Sequence, residues 1–355
     1  MTSIKLSGGH TASVLTLSVQ TKTNQLVSGG ENGMLCLWSE DGRLVSKFSR
    51  PGVECTSVLF SKEKPNVIYA AFGEEILILD TLRLVEPVFV FKSNQDEVNQ
   101  IVLDPKEEFL AACDDGCEIK VYGLQDRKVF KTLRYQHTNI CSTALFRPNR
   151  KWEIFSGGLD CRFVHWDFSK PKCLRQLNMQ ESQATPGDES YMLNPPFIHH
   201  ISSSPDGNTF ALALENGKIP ILDGKGKYLQ PQYTLHAHGQ GVSQVQFLSE
   251  SSLVSAGNDC SVIQWDLSRA EFAQPGLFSG TNTRNTTDFS ISDSNPEEEK
   301  CLAITRECKV HSYQHTSKIN WLAVGRTKDN VTSDGNTHRL FVADQTTDIS
   351  VLNVT

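Results

Sequence analysis

No stretch of this 355-residue chain approaches 18 consecutive apolar residues, and its start, Met1-Thr-Ser-Ile-Lys-Leu6, has neither the charged leader nor the apolar run of a secretory signal. These absences predict an intracellular, soluble protein without a membrane partner. Basic charge is scarce: 34 Lys and Arg stand against 41 Asp and Glu, a net −7. That is the wrong sign for a chain that works by neutralising phosphates, so nucleic acid is disfavoured. The ten cysteines include no Cys-x-x-Cys pair, and a chain of this length needs no disulfide to fold; they read as reduced thiols, mostly core filler. The glycines of Ser28-Gly-Gly30 and Ser156-Gly-Gly158 lack the spacings that cradle phosphates. His199-His200 and His236-x-His238 have no third and fourth ligand at zinc spacing, and Cys113-x-x-x-Cys117 flanks a turn. Neither a metal nor a cofactor is expected. Without a secretory signal, the Asn-x-Ser/Thr triplets at Asn285, Asn330 and Asn353 are coincidental.

What the chain does have is repetition. Apolar strand endings followed by a polar or turn residue recur at Leu35-Cys-Leu-Trp38, Leu77-Ile-Leu-Asp80, Lys120-Val-Tyr-Gly123, Val164-His-Trp-Asp167, Pro220-Ile-Leu-Asp223, Ile263-Gln-Trp-Asp266 and Ser350-Val-Leu-Asn353. Taken at residues 38, 79, 122, 166, 222, 265 and 352, the steps are 41, 43, 44, 56, 43 and 87. Four of these fall within the period of about 40–45 residues that one four-stranded blade occupies. The step of 56 carries the polar loop Gln180–Ser190. The step of 87 carries Ala270–Lys300, rich in Ser, Thr, Asn and Gly, which reads as an insertion and not an eighth unit. Its Glu297-Glu-Glu299 run reads as a solvated loop segment. Within each unit the pattern is short alternating strands: Val58–Phe60, Ile101–Leu103, Thr143–Phe146 and Val245–Phe247 mark a first strand, Leu26–Ser28, Ile154–Ser156 and Leu253–Ser255 a second. The fold expected is all-β: one domain over residues 1–355, with loop insertions near 178–194 and 270–308.

Two sets of residues keep a common spacing, His137/Ser156/Asp160/Trp166 and His238/Ser255/Asp259/Trp265, with four residues from Ser to Asp and six from Asp to Trp. A third, His10/Ser28/Asn32/Trp38, keeps the spacing with Asn for Asp. By these tetrads the chain, from Ser3 to Val354, resembles the WD-repeat β-propellers. The resemblance implies a single seven-bladed propeller of four-stranded antiparallel blades, with Ser3–Leu6 as the outer strand closing the last blade. A buried carboxylate is tolerable when hydrogen-bonded, and here a His and turn amides can satisfy it while Ser and the indole N–H complete the network. The order and repetition of His, Ser and Asp, with no nucleophile elbow, exclude a hydrolytic triad. The other units depart from the pattern: Gly73 and Leu79, Asn216 and Leu222, and Asp114-Asp-Gly116 one residue out of phase before Tyr122.

The resemblance further implies a non-enzymatic protein that is monomeric by itself and binds other proteins on its narrow top face. In the family's register the residue after the first apolar position of each inner strand rings the channel mouth: Leu15, Thr56, Asn99, Ser142, His199, Ser243 and Asn320. Glu31, Asp115, Leu159, Glu215 and Asn258, each before the tetrad turn position, stand nearby. Three of these five are acidic, which favours a basic segment as ligand. Some relatives serve as substrate receptors of cullin-4 ubiquitin ligases and dock the ligase adaptor through Trp-Asp-x-Arg. Degenerate versions occur here as Asp80 with Arg83, Asp167 with Lys170 and Asp266 with Arg269, each with its basic residue one place late.

Overall fold

The computed structural model describes residues 4–183, 194–272, 296–326 and 338–354. Seven four-stranded antiparallel sheets follow one another along the chain. In six of them the order is sequential from the inner strand outward; in the seventh the outermost strand is Ile4–Leu6. The inner strands are Val14–Val19, Cys55–Phe60, Val98–Leu103, Cys141–Phe146, Ile198–Ser203, Val242–Phe247 and Ile319–Arg326, and we number the blades 1 to 7 in that order. The third strands hold the residues from which the period was read: Trp38, Leu79, Tyr122, Trp166, Leu222, Trp265 and Leu352.

Among the described residues there is no central core. The buried apolar residues form seven clusters, each lying between two neighbouring blades and closing the circle where blade 7 meets blade 1. Every blade is covered on both faces, so the middle strands read as nearly continuous apolar runs, as in Ile76-Leu-Ile-Leu79. Sheets packed face to face in this way are stabilised roughly in proportion to the apolar area they remove from water.

The insertion in blade 6 departs from expectation. Glu297–Glu299 form the first turn of a helix, Pro296–Cys308, and not a loop. Pro at the start and acidic residues in the first turn suit the unpaired amides and positive dipole of a helix N-terminus. Ile304 and Cys308 join the cluster between blades 5 and 6, and Thr305 Oγ1 accepts a 3.0 Å hydrogen bond from the His236 amide on the outer strand Gln230–His236 of blade 5. In the other insertion Met179–Gln183 is a helical turn whose Met179 is buried. The remainder of Gln180–Ser190, most of Ala270–Lys300, and Asn285 and Asn330 lie outside the described residues. No helix among the described residues is long and apolar enough to cross a membrane.

Closure of the ring rests on the first strand. Ile4, Lys5 and Leu6 pair with Val351, Ser350 and Ile349, and Leu6 is 4% exposed in the cluster between blades 7 and 1. Deleting Met1–Ser7 removes this packing and bares the edge of Ile349–Val354. We expect a loss of about 2–4 kcal/mol, the range for emptying a buried leucine site. Thermal melts of the full and shortened chains should differ by several degrees; coincident melts would show that the clasp contributes nothing.

Candidate functional site

The end of the propeller at which the inner strands begin is referred to here as the top. Each inner strand has a register irregularity there, between Val14/Thr16, Cys55/Ser57, Val98/Gln100, Cys141/Thr143, Ile198/His200, Val242/Gln244 and Ile319/Trp321. The skipped residues are Leu15, Thr56, Asn99, Ser142, His199, Ser243 and Asn320, so the ring expected from the sequence is a ring of β-bulges. A bulge residue is unpaired with its neighbouring strand, which re-aims its side chain. Thr56 Oγ1 donates to the Val98 carbonyl at 2.5 Å, Asn99 Nδ2 to that of Cys141 at 3.3 Å, Asn320 Nδ2 to that of Val14 at 2.9 Å, and Ser142 Oγ to that of Ile198. Each acceptor is the first inner-strand residue of the next blade. One residue further on, the amides of Val58, Ile101 and Ala144 donate to Thr16 Oγ1 at 3.2 Å, Ser57 Oγ at 3.1 Å and Gln100 Oε1 at 2.9 Å, and that of Leu322 donates to Gln244 Oε1. The ring is therefore largely engaged in holding blade to blade. Ser243 Oγ turns back to the Ala256 carbonyl of its own blade. Lower in the channel, His200 meets Trp321 edge to face at 5.5 Å, and burial pushes its imidazole down to about 4.

The five turn residues are fixed by a common device. The amides of Glu31, Asp115, Leu159, Glu215 and Asn258 donate to the carbonyls of Ser13, Glu97, Ile140, Phe197 and Gly241, each immediately ahead of an inner strand. Gln345, bonded in the same way to Lys318 in blade 7, is a rim residue that the sequence reading missed. The rim divides by charge. On blades 1–3, Glu31, Glu54, Asp96, Glu97 and Asp115 are all exposed. Burial, then the charges of Glu97 and Glu31, raise the Glu54 carboxyl above its usual value. Among the described residues none of these carboxylates has an ion-pair partner; the nearby cations Arg50 and Lys92 both turn to Glu75, at 2.5 and 2.9 Å. Asp115 Oδ1 does accept a hydrogen bond from Asn99 Nδ2 at 2.9 Å. On the opposite side His199 Nε2 lies 2.6 Å from Glu215 Oε2, and this bond, with the charge of Lys318, holds the Glu215 carboxyl below its ordinary value despite burial. Glu54 and Glu97 were absent from the expected set because they precede the first apolar residue of an inner strand. The signal was there, as an acid directly before Cys55 and Val98.

The tetrads lie under the rim. In blade 4 Trp166 Nε1 donates to Ser156 Oγ at 2.9 Å, Ser156 Oγ lies 2.7 Å from His137 Nε2, and His137 Nδ1 is 3.1 Å from Asp160 Oδ1. The amides of Thr138 and Arg162 also donate to Asp160. Blade 6 repeats this: Trp265 to Ser255 at 2.9 Å, Ser255 to His238 at 2.8 Å, His238 to Asp259 at 3.0 Å. Ser156 and Ser255 are fully buried, so no substrate reaches either hydroxyl. After each Asp the chain takes a left-handed residue, Cys161 at φ 61° and Cys260 at φ 62°, where blades 1 and 5 place Gly33 and Gly217. Blade 1 falls short of the expected copy. His10 Nε2 is 2.6 Å from Ser28 Oγ and Trp38 Nε1 donates to Ser28 at 2.8 Å, but Asn32 donates to Thr11 and leaves His10 Nδ1 without a partner. Blade 3 substitutes a buried ion pair, Lys120 Nζ to Asp114 Oδ2 at 3.0 Å, and blade 7 a His315–Asp344 pair at 2.5 Å. Blades 2 and 5 rely on the fully buried Leu79 and Leu222.

The degenerate Trp-Asp turns are at the opposite, bottom end. Asp80 caps the short turn Thr81–Arg83, Asp167 accepts from Ser169, Arg83 pairs with Glu86 at 3.0 Å and Arg269 with Asp266 at 3.1 Å. Lys170 is exposed, and among the described residues it has no ion pair.

Burial, with Lys47 adding to it, pushes the His10 imidazole down to about 4, so folding favours the neutral ring. The stability it contributes is present above the unfolded value of 6.5 and is lost as pH falls toward 4, a window in which the unfolded chain binds the extra proton. Asp160 and Asp259 act lower. Burial alone would raise them, yet their His and amide hydrogen bonds hold both below 3.8, and their contribution fades as pH falls below that value. Asn32→Asp should give His10 an acceptor, stabilise the fold by about 1 kcal/mol and flatten the rise in stability between pH 5 and 6.5. Asp259→Ala should cost about 1–3 kcal/mol. Urea melts across this pH range check both; an Asn32→Asp protein no more stable than wild type would contradict the assignment.

Comparison with known proteins agrees with this geometry. A family model described as WD domain, G-beta repeat matches residues 2–39 and 229–266. Each match begins near the outer strand of one blade and ends at the Trp of the next, in blades 1 and 6. The WD repeat-containing protein 53 homolog of Dictyostelium discoideum is 26% identical over 98% of this chain and 93% of its own length. The intraflagellar transport protein 80 homologs of Rattus norvegicus and Mus musculus are each 23% identical over 36% of this chain, which is 16% of theirs. With seven closed four-stranded blades and two full tetrads, the chain is a seven-bladed β-propeller, similar in these repeats to the WD-repeat proteins it matches.

Proposed function

We propose that this protein is a non-catalytic interaction platform that binds a basic segment of a partner protein at the rim of blades 1–3. One observation carries the reading. Glu31, Glu54 and Glu97 come from three different blades, no cation answers them among the described residues, and their mutual repulsion is felt at Glu54. Like charges held together by rigid turns are relieved by a ligand cation, which gives affinity as well as orientation. Glu215, already answered by His199, is a weaker contact than the sequence suggested.

Charge reversal at Glu31, Glu54 and Glu97 together should weaken binding of a Lys/Arg-rich peptide probe by about tenfold or more and reduce its salt dependence. Reversal at Glu297–Glu299 should leave it unchanged. Full-chain protein, a labelled peptide and an ionic-strength series suffice. Partner capture that survives the rim changes but fails on altering Arg83, Lys170 and Arg269 would replace this reading with the ligase-adaptor one.

A further inference from the structure

On the bottom face, at the junction of blades 3 and 4, aromatic packing reaches the surface. Phe168 is fully buried, with Phe109, Phe146 and Trp152 each 5.4 Å away. Trp152 and Phe130 lie on this base as a stacked pair, centroids 6.2 Å apart and planes 20° apart, and each is 39% exposed. Two adjoining rings held at the surface by a buried aromatic foundation have the character of an anchor site, because they bind without first being ordered.

The charge around this pair runs against the chain's average. Lys106, Arg150, Lys170, Lys225 and Lys227 are exposed and, among the described residues, without an ion-pair partner; Lys151 is paired with Glu108 at 2.8 Å. Arg147 assembles them. Its buried guanidinium bonds the carbonyls of Gly224 at 2.5 Å, Gly226 at 3.2 Å and Lys227 at 3.4 Å, and it pairs with Glu153 at 2.8 Å. The blade 5 turn bearing Lys225 and Lys227 is thereby fixed against the blade 4 turn bearing Arg150. Asp104, the carboxylate between Lys106 and Arg150, is occupied by the amides of Lys106 and Phe109. A cavity of about 230 Å³ opens between the blade 3 turn at 104–106 and the blade 4 turn at 147–151. On the blade 2–3 side the adjoining groove, which Phe130 also lines, mixes Glu63, Asp80, Glu107, Glu108 and Asp126 with Lys64, Lys106 and Arg127, so the charge there is no longer of one sign. The carboxylates along that groove oppose a continuous phosphate backbone.

We propose that this face docks an acidic segment of a partner protein, with an aromatic or large aliphatic side chain seated on Trp152 and Phe130 and flanking carboxylates meeting Arg150, Lys106 and the Lys225/Lys227 turn. The proposal is independent of the rim reading. Its charge sign is the opposite, so one segment cannot serve both faces and two partners can be held at once.

Short random peptides displayed on phage and selected against the full chain test it. The selected peptides should include a class with Asp or Glu flanking Trp, Phe or Leu. When synthesised with a fluorophore, that class should bind Trp152→Ser and Arg150→Glu proteins about tenfold more weakly than wild type. Arg150 is exposed, so Arg150→Glu should leave the melting curve unmoved; Trp152→Ser also gives up packing on Phe168, so its binding is read at a temperature where its melting curve shows it fully folded. Glu31→Lys should leave this class unaffected. Recovery of no acidic class, or equal binding to wild type and to both variants, would overturn the proposal. Displacement of the peptide by an equal concentration of oligodeoxythymidylate would overturn it in favour of nucleic acid.

Discussion

The inner strand of a propeller blade has a neighbour on one side only, and the backbone groups on its other edge face the narrowing channel, where no further strand can pair with them. An unpaired buried amide or carbonyl costs about as much as a lost hydrogen bond. Here the neighbouring blades supply the partners. Thr56, Asn99, Ser142 and Asn320 donate to carbonyls of the following blade, and Thr16, Ser57, Gln100 and Gln244 accept from its amides. These side chains span six of the seven blade junctions, and Ser202 Oγ, which accepts from the Phe247 amide at 3.3 Å, spans the seventh, so the separate sheets become one closed body. They also fix the rotation of each blade against the next, which the apolar clusters, being non-directional, leave loosely specified.

Because the blades hold one another, a single blade can forgo its internal tetrad. Blades 4 and 6 keep the full network, blade 1 lacks an acceptor for His10, blades 3 and 7 use charged pairs, and blades 2 and 5 have leucine where the tryptophan would be. The tetrad ties the turn between the second and third strands to the incoming loop, while the inner-strand hydrogen bonds and the apolar clusters tie blades together. These are different tasks, so losing one leaves the other intact. The same division explains why a weakly matching blade is still recognisable by its period.

Fold and site were unequally legible in the sequence. The period survives in residues as different as Trp38, Leu79 and Tyr122 because every third strand is buried on both faces, and burial constrains apolarity wherever it occurs. The closing strand could be read from Ser3–Leu6 because a fourth strand always precedes a blade-entry turn. The helix Pro296–Cys308 could not, since its inward residues are few, Ile304, Thr305 and Cys308, and its surface is mostly polar. His315 and Asp344 escaped notice because their spacing differs from the tetrad's. The ring positions were named as partner contacts, and four of them, Thr56, Asn99, Ser142 and Asn320, donate to a carbonyl of the next blade: sequence register says nothing of whether a neighbouring carbonyl already accepts from such a side chain.

That last point bears on where recognition can arise in such a fold. A side chain whose hydrogen bond closes the ring cannot be turned to a partner without loosening a blade junction, so binding chemistry is displaced outward, to turns that carry no closure role. At the top these are the residues just before the inner strands and in the second-to-third-strand turns, where Glu31, Glu54 and Glu97 accumulate. At the bottom they are the turns that Arg147 and the aromatic base of Phe168 hold in place, where Arg150, Lys225 and Lys227 accumulate. In a rigid body whose charged turns differ from one end to the other and are joined by side chains that belong to neither, substitution at the turns changes the charge a face presents while closure is left untouched.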